Sequence, residues 1–298
     1  MGNLKEVRNR ITSVKSTQQI TKAMKMVSAA KLRRAQQKVL KMRPYDLKLS
    51  SVLQNLAAQI GEEYDHPLFK KREPNRVLLV AITADRGLAG SFNSNVIKET
   101  MRLVRNDYNS QFNAGNLSIY SVGKKGRDNF LKYKYPLAGE NNHIFNDLTT
   151  EEAHRVASEI TQKFSHNEFD RIVLIFNQFR NAAVYNTQVI QLLPIPEAAP
   201  EEVAEKEQGR RVNYIFEPSM EGIMDKLIPL ALQTTIHRAL LDSNAAEHGA
   251  RMTAMDKATE NAEDLIKDLR LKYNKERQAT ITKELLDIVG GARALEEG

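Results

Sequence analysis

Two long stretches without glycine or proline constrain this sequence more than any other feature. Residues 3–43 and 250–289 contain neither residue type, and both stretches are rich in Ala, Lys, Leu and Met. These residues favour helices, whereas glycine and proline disfavour the helix interior. The chain is therefore predicted to carry two long terminal helices, each roughly 60 Å long at ~1.5 Å per residue.

Apolar residues recur along both helices at the spacing that pairs helices with each other. The first run is broken after Val14, because the next apolar residue is Ile20, and we expect the apolar stripe to change face there. A compact domain joining the end of one helix to the start of the other makes the pair antiparallel. The alternative is a plain helical bundle folded onto that domain. The runs are Leu4, Val7, Ile11 and Val14; Ile20, Met24 and Val27; and Met252, Met255, Thr259, Ala262, Ile266, Leu269 and Tyr273.

The middle of the chain predicts an α/β domain. Short apolar runs at 76–83, 117–123 and 171–177 are typical of buried parallel strands, and 185–193 alternates as a half-exposed edge strand does. Helices are expected at 95–109 and 149–164, which gives a small, mainly parallel sheet. The predicted domain limits are 1–60 for the N-terminal helix, 75–195 for the middle domain, 196–211 for a linker and 212–298 for the C-terminal helix.

Composition excludes several classes of function. The chain has 0 cysteines, which excludes disulfides, thiol catalysis and iron–sulfur clusters. No apolar stretch approaches the ~20 residues of a membrane span, and no secretory leader is visible. Positive charge is concentrated in residues 1–60, where 13 Lys and Arg oppose 2 Asp and Glu, a net charge of +11. Such a segment favours an acidic partner: nucleic acid, an anionic membrane or an acidic protein surface.

No pattern in the chain predicts a catalytic site. Residues 85–91 lie between a strand and a helix, where phosphate-binding turns occur, but they lack the G-x-G-x-x-G spacing. We interpret Gly87 and Gly90, and likewise Gly123 and Gly126, as tight turns at the top of the sheet. The prediction is a chain with no catalytic residue, no cofactor and no metal.

Three segments, in order along the chain, resemble one family. Residues 11–27 resemble the N-terminal helix of the gamma subunit of F-type ATP synthase of bacterial type, 83–90 resemble its middle-domain turn, and 273–292 resemble its C-terminal signature. The resemblance implies an α/β fold: a long antiparallel coiled coil of the terminal helices plus a Rossmann-like middle domain. It implies a non-catalytic rotor of the central stalk, which couples ion-driven rotation of the c-ring to sequential changes at the beta catalytic sites.

The resemblance also implies partners and a location. The partners are the alpha3beta3 hexamer, the epsilon subunit and the c-ring, with no nucleic acid and no direct insertion into the membrane. The location is the cytoplasmic face of the bacterial inner membrane, as a peripheral subunit.

Contacts between rotor and stator are implied by motif position and expected in two groups. Contacts with the ring are expected from Met24, Lys25, Arg251, Arg277, Gln278, Thr282 and Glu284. An apolar tip that turns inside an apolar sleeve is expected from Leu285, Ile288, Val289 and Leu295.

Two other classes of function stay open at this point. A basic coiled coil that binds nucleic acid fits the charge of residues 1–60, although Tyr45 is the single aromatic residue there and base stacking has little support. A Rossmann-type enzyme is motivated by the turn at 85–90 alone.

Overall fold

The computed structural model describes residues 2–60, 68–69, 72–146, 148–196 and 220–296. It contains two long terminal helices and a sheet with shorter helices, which confirms the predicted fold class. In chain order the elements are α1 (Gly2–Ile60), β1 (Val77–Ile82), α2 (Phe92–Asn106), α3 (Asn109–Asn113), β2 (Leu117–Val122), α4 (Lys124–Lys132), β3 (Leu137–Asn141), α5 (Thr150–Ser165), β4 (Arg171–Phe179), β5 (Tyr185–Leu193) and α6 (Met220–Glu296).

Both long helices continue through a proline. Pro44 lies inside α1 and Pro229 inside α6. A proline in a helix interior leaves the carbonyl four residues earlier without its partner, at a cost of ~3 kcal/mol or more. Packing along the rest of each helix offsets this cost, which is why the helices extend past the stretches that composition alone defined.

Five strands form the sheet, in the order β3-β2-β1-β4-β5. The first four strands are parallel, and β5 pairs antiparallel with β4 at the edge. All six residues of β1 are buried, as expected for a strand covered on both faces. Helix α2 contributes Val96, Leu103 and Val104 to the core beneath it.

Local signals account for most of these elements. Helix α5 begins after Thr149, whose Oγ1 accepts a hydrogen bond from the Glu152 backbone N at 3.2 Å, so Thr149 caps the helix N-terminus. Strand β3 had no clear signal, because its five residues are short of apolar side chains and include Gly139.

The described chain divides into two compact units, and the division falls inside both long helices. One unit contains residues 1–29 and 251–298, and the other contains residues 30–250. The predicted linker at 196–211 lies outside the described residues from 197 onward. The side chains of residues 53–60 also lie outside the described residues.

Candidate functional site

The unit of residues 1–29 and 251–298 is an antiparallel pair of helices. Polar side chains join α1 to α6 within this unit: Arg8 Nη2 donates to Tyr273 Oη at 2.8 Å, Thr21 Oγ1 lies 2.8 Å from Thr259 Oγ1, and Lys25 Nζ donates to Asp256 Oδ1 at 2.5 Å. As the residue number rises on α1, the number of its partner on α6 falls by nearly the same amount. This progression establishes the antiparallel pairing that the sequence predicted.

The buried stripe of α1 keeps one face along this unit. After Val14 it continues through Gln18, Thr21, Lys25 and Ser28, at alternating spacings of four and three residues. Ile20, by contrast, is 60% exposed, and Val27 is exposed as well. The expected change of face after Val14 is therefore wrong. Polar residues that bond to α6 occupy the side of α1 that faces α6, which we call the seam. The apolar residues Ile20 and Val27 point to solvent.

The facing stripe of α6 follows its predicted spacing. Met255, Ala262, Ile266 and Leu269 are buried, and Tyr273 is half-buried. Between them, Thr259 Oγ1 also donates to its own helix, to Met255 O at 2.7 Å. Seam positions of both helices therefore hold hydroxyl and charged groups over the stretch from Thr21 to Lys25.

The predicted ring contacts do not form one cluster. Met24 and Lys25 are half-buried on α1, and the Lys25 ammonium is already paired with Asp256. Arg251 is 8% exposed and has interactions within the chain. The remaining four, Arg277, Gln278, Thr282 and Glu284, are exposed along the last part of α6.

The end of α6 extends beyond its partner helix. If the pairing continues to the start of α1, Gly2 lies opposite about residue 279 of α6, because both helices rise ~1.5 Å per residue. Beyond that point Leu285, Ile288 and Val289 are each half or more exposed, and the side chain of Leu295 lies outside the described residues. Exposed large apolar side chains on one segment are typical of a surface that meets a partner.

Asp256 is a residue that sequence analysis missed. It lies one position past Met255, off the apolar run, and the pattern of apolar residues does not mark it. The signal that could have found it is charge complementarity: once the pairing of residue 21 with 259 is known, Lys25 and Asp256 must face each other.

The turn at residues 85–90 has a structural explanation. The Asp85 carboxylate Oδ1 accepts hydrogen bonds from the Lys124 backbone N at 3.1 Å and from the His143 backbone N at 3.0 Å. The N-terminus of α4, the kind of place that binds phosphates in nucleotide-binding folds, is thus capped by the chain's own carboxylate. A Cβ on Gly123 would lie 2.1 Å from Thr83 O, so that glycine is needed for packing. Asp85 therefore has a structural role in this turn, because it connects the turn to α4 and to residue 143.

The described residues offer neither a metal site nor a membrane span. Across the described ranges, His, Asp and Glu side chains form no group of three that could hold a metal ion. Within the same ranges, no helix combines the length and apolar character that crossing a membrane requires.

Comparison with known proteins decides the family. Residues 3–295 match the family model described as ATP synthase. The chain is 50% identical to the ATP synthase gamma chain of Christiangramia forsetii and 51% identical to that of Flavobacterium johnsoniae, in each case over 99% of both chains. The chain belongs to the ATP synthase gamma-chain family. Gamma chains are non-catalytic subunits of that complex, so this chain is not itself an enzyme.

Solved structures agree with this assignment. A chain from the Tetrahymena thermophila mitochondrial ATP synthase, described as central stalk and c-ring, is 29% identical, with a TM-score of 0.61 over 80% of this chain and 99% of that one. A chain from the Euglena gracilis mitochondrial ATP synthase is 22% identical, with a TM-score of 0.71 over 100% of this chain and 96% of that one, and shows the fold alone. The predicted function in ATP synthase is confirmed, and the nucleic-acid alternative gains no support.

Proposed function

We propose that this gamma-family chain is the rotor shaft of a bacterial ATP synthase. The paired helices of residues 1–29 and 251–298 turn inside an alpha3beta3 hexamer, and the sheet domain sits on the c-ring beside epsilon. The complex lies at the cytoplasmic face of the inner membrane. The observation that carries this proposal is the antiparallel helix pair, one helix of which continues past the other. Similarity to the Tetrahymena chain, which comes from a central stalk with its c-ring, supports it.

Coupling follows from the asymmetry of the shaft. The two helices present different surfaces, since α1 is strongly basic and α6 is not. As the shaft turns, each beta subunit meets a different surface, and its conformational equilibrium shifts by the difference in interaction free energy. The contacts between the shaft and the ring must break at every step. Modest, solvated charge pairs, each stabilising by ~0.2–1 kcal/mol, are suitable for such contacts.

Each segment within the predicted domain limits is assigned a role in the rotor. Residues 1–60 and 212–298 form the shaft, and residues 75–195 form the foot. The exposed polar group Arg277, Gln278, Thr282 and Glu284 meets the ring, with Met24, Lys25 and Arg251 lower on the shaft, and Leu285, Ile288, Val289 and Leu295 form the apolar tip. Support comes from the exposure of the upper residues and from the lack of a facing helix there among the described ranges.

Reconstitution tests the function. The purified chain is mixed with alpha and beta subunits of its own source, and the complex is assayed for ATP hydrolysis while a probe on the sheet domain is observed. We expect three alpha, three beta and one copy of this chain, with the probe turning in steps as ATP is consumed. A folded, helical chain that joins no such complex contradicts the proposal.

A matched pair of variants tests the ring contacts. Arg277→Gln and Lys275→Gln each remove one exposed cation from α6, two residues apart. We expect the first to lower the hydrolysis rate of the complex several-fold and the second to leave it within experimental error. Equal effects would place Arg277 away from the ring.

A further inference from the structure

Four charged residues lie between the long helices in the unit of residues 30–250. Arg43 and Asp46 belong to α1, and Arg238 and Asp242 belong to α6. Arg43 Nη2 lies 3.4 Å from Asp242 Oδ1, and Arg238 Nη1 lies 3.0 Å from Asp46 Oδ2. We refer to these four residues as the charged clamp. On each helix the two charges have opposite sign and are about one turn apart.

Arg43 also connects the clamp to the sheet. Its Nη2 donates to the backbone oxygen of Phe179, the last residue of β4, at 3.0 Å. One guanidinium therefore joins α1, on which it sits, to α6 and to a central strand. An Arg side chain suits this geometry because its planar fork presents several donors in fixed directions.

Stability alone does not explain the clamp. The side chains of Asp46 and Asp242 are 6% and 2% exposed, and burial raises the pKa of both carboxyl groups. Removing two carboxylates from water is unfavourable, and apolar residues at such positions are often equally or more stabilising. Buried charged groups can instead select one alignment of two helices along each other.

The order of the charges penalises slippage in both directions. A slip of α1 by one turn brings Arg43 opposite Arg238, and a slip the other way brings Asp46 opposite Asp242. Either slip breaks both ion pairs, brings like charges together and leaves the buried carboxylates without their partners, which is strongly unfavourable. Apolar seam positions tolerate such a slip better, because one turn replaces an apolar neighbour by another.

We propose that the charged clamp fixes the axial register of α1 and α6 against strand β4 and so resists shear when torque passes between the sheet domain and the helix pair. This rests on the proposed rotor function. A rotor shaft must transmit torque as one body, so a fixed alignment of its two helices serves that function. Arg43, Asp46, Arg238 and Asp242 are positioning residues, since their effect on catalysis passes through the geometry of the shaft.

One charge swap separates register from stability. In the double variant Asp46→Arg/Arg238→Asp both ion pairs remain, but α1 carries two cations and α6 two anions. A slip of one turn then brings a cation opposite an anion, so one ion pair re-forms and the repulsion between like charges is removed. The swap within the exposed pair Glu263→Lys/Lys267→Glu is the control, since both residues lie on one helix. If the buried swap does not fold, the apolar variant Asp46→Leu/Arg238→Met also removes the repulsion on slipping.

Register is measured with spin labels on introduced cysteines. The chain has 0 cysteines, so Lys41→Cys and Lys226→Cys, both at exposed positions, label α1 and α6 uniquely. A one-turn slip changes the distance between the labels by about 5 Å. We expect one narrow distance in the otherwise unchanged chain and in the control. The swapped or apolar clamp is expected to add a second distance in a substantial fraction of molecules.

Coupling is measured on the same variants in the complete ATP synthase, with its c-ring, in membrane vesicles. We expect the number of ions pumped per ATP hydrolysed to fall at least twofold with an altered clamp, while the thermal midpoint of the chain stays within a few degrees. A single unchanged distance in both altered clamps, or unchanged coupling despite a second distance, overturns the proposal. Failure of the unaltered chain to assemble counts against the rotor function instead, because label distances in the free chain still report the register.

Discussion

Gly126 shows how closely single atoms determine the packing at the carboxyl ends of the parallel strands. A Cβ at this position would lie 2.7 Å from Thr83 Oγ1 and 3.0 Å from Ser121 Oγ. Thr83 Oγ1 itself accepts the Gly126 backbone N–H at 2.8 Å, so the helix α4 is bonded directly to the end of β1. There is no room for a side chain unless this bond lengthens.

Gly126→Ala is expected to destabilise the chain by about 1–3 kcal/mol, because the added methyl group must displace Thr83 or the first turn of α4. The measurement is the free energy of unfolding by urea. Gly290→Ala is the matched control: it lies in α6 with nothing within 4 Å of its added Cβ. There the alanine should raise helix stability by up to ~1 kcal/mol. Two effects of the same sign would contradict this account of Gly126.

His237 makes the stability of the chain depend on pH. It is buried, its ring meets that of His154 at 6.3 Å between centroids, and its Nδ1 has no hydrogen-bond partner among the described residues. Burial, then His154 and Lys38, lower its pKa below the ordinary 6.5, with Glu151 acting in the opposite direction. His237 therefore binds a proton more readily in the unfolded chain than in the folded chain. The free energy of unfolding falls as the pH decreases through 6.5.

We expect the unfolding free energy to fall more between pH 7.5 and 5.5 in the unchanged chain than in His237→Gln, because glutamine has no proton to bind. These two pH values lie on either side of the ordinary His pKa of about 6.5. His166→Gln, at an exposed position, is the control and should keep the full pH dependence. Parallel curves for the unchanged chain and His237→Gln would show that another group is responsible.

At the scale of elements, the helix pair is defined by which apolar residues are buried. On α6, Leu269 is 6% exposed and Leu271 is 70% exposed, although only one residue separates them. The two leucines lie on different faces, because successive residues of a helix are about 100° apart. Sequence hydrophobicity alone treats them as equals.

Leu269→Ala is expected to cost about 2–5 kcal/mol, the range for buried leucines, whereas Leu271→Ala should change the unfolding free energy by less than about 0.5 kcal/mol. Both are measured by urea unfolding followed by circular dichroism at 222 nm, a wavelength at which helices absorb. Similar losses for the two variants would mean that the seam does not face α1 through Leu269.

At the scale of the whole molecule, the end of α6 is free of α1 and its apolar residues are exposed. Such residues add little to the stability of the chain on its own. Their contribution is expected in the complex, where a partner surface removes them from water at ~25 cal/mol per Å².

Deletion of residues 285–298 should therefore leave the unfolding free energy of the isolated chain unchanged within about 0.5 kcal/mol. In the reconstituted complex we expect rotation to persist with weakened assembly and reduced torque, measured from the speed of a probe of known drag. If the truncated chain joined no complex at all, the tip would be needed for assembly, and the division of roles along α6 would be wrong.

Patterns within single elements were sufficient to predict much of the fold. The continuous apolar run of β1, the N-cap of α5 and the 3-4 spacing from Met255 to Leu269 each depend on neighbours in sequence, and each appears in the structure. The antiparallel pairing followed from connectivity, and three segments of characteristic sequence led to the family.

What sequence could not provide was the choice among competing apolar residues and the pairing of distant charges. Ile20 and Val27 predicted a shifted stripe, yet the seam follows Thr21, Lys25 and Ser28 because those positions face α6. Asp256 and the charged clamp depend on residues about 190 to 230 positions apart.

The sequence by itself thus determined the two long helices, the α/β middle and the family, since helix propensity, strand burial and motif spacing are properties of short segments. Tertiary structure alone decided the register of the helices, the face that each one buries and the partner of each buried charge. The physical reason is that burial and charge pairing depend on which atoms meet in space, and only the folded chain brings residues 43 and 242 together.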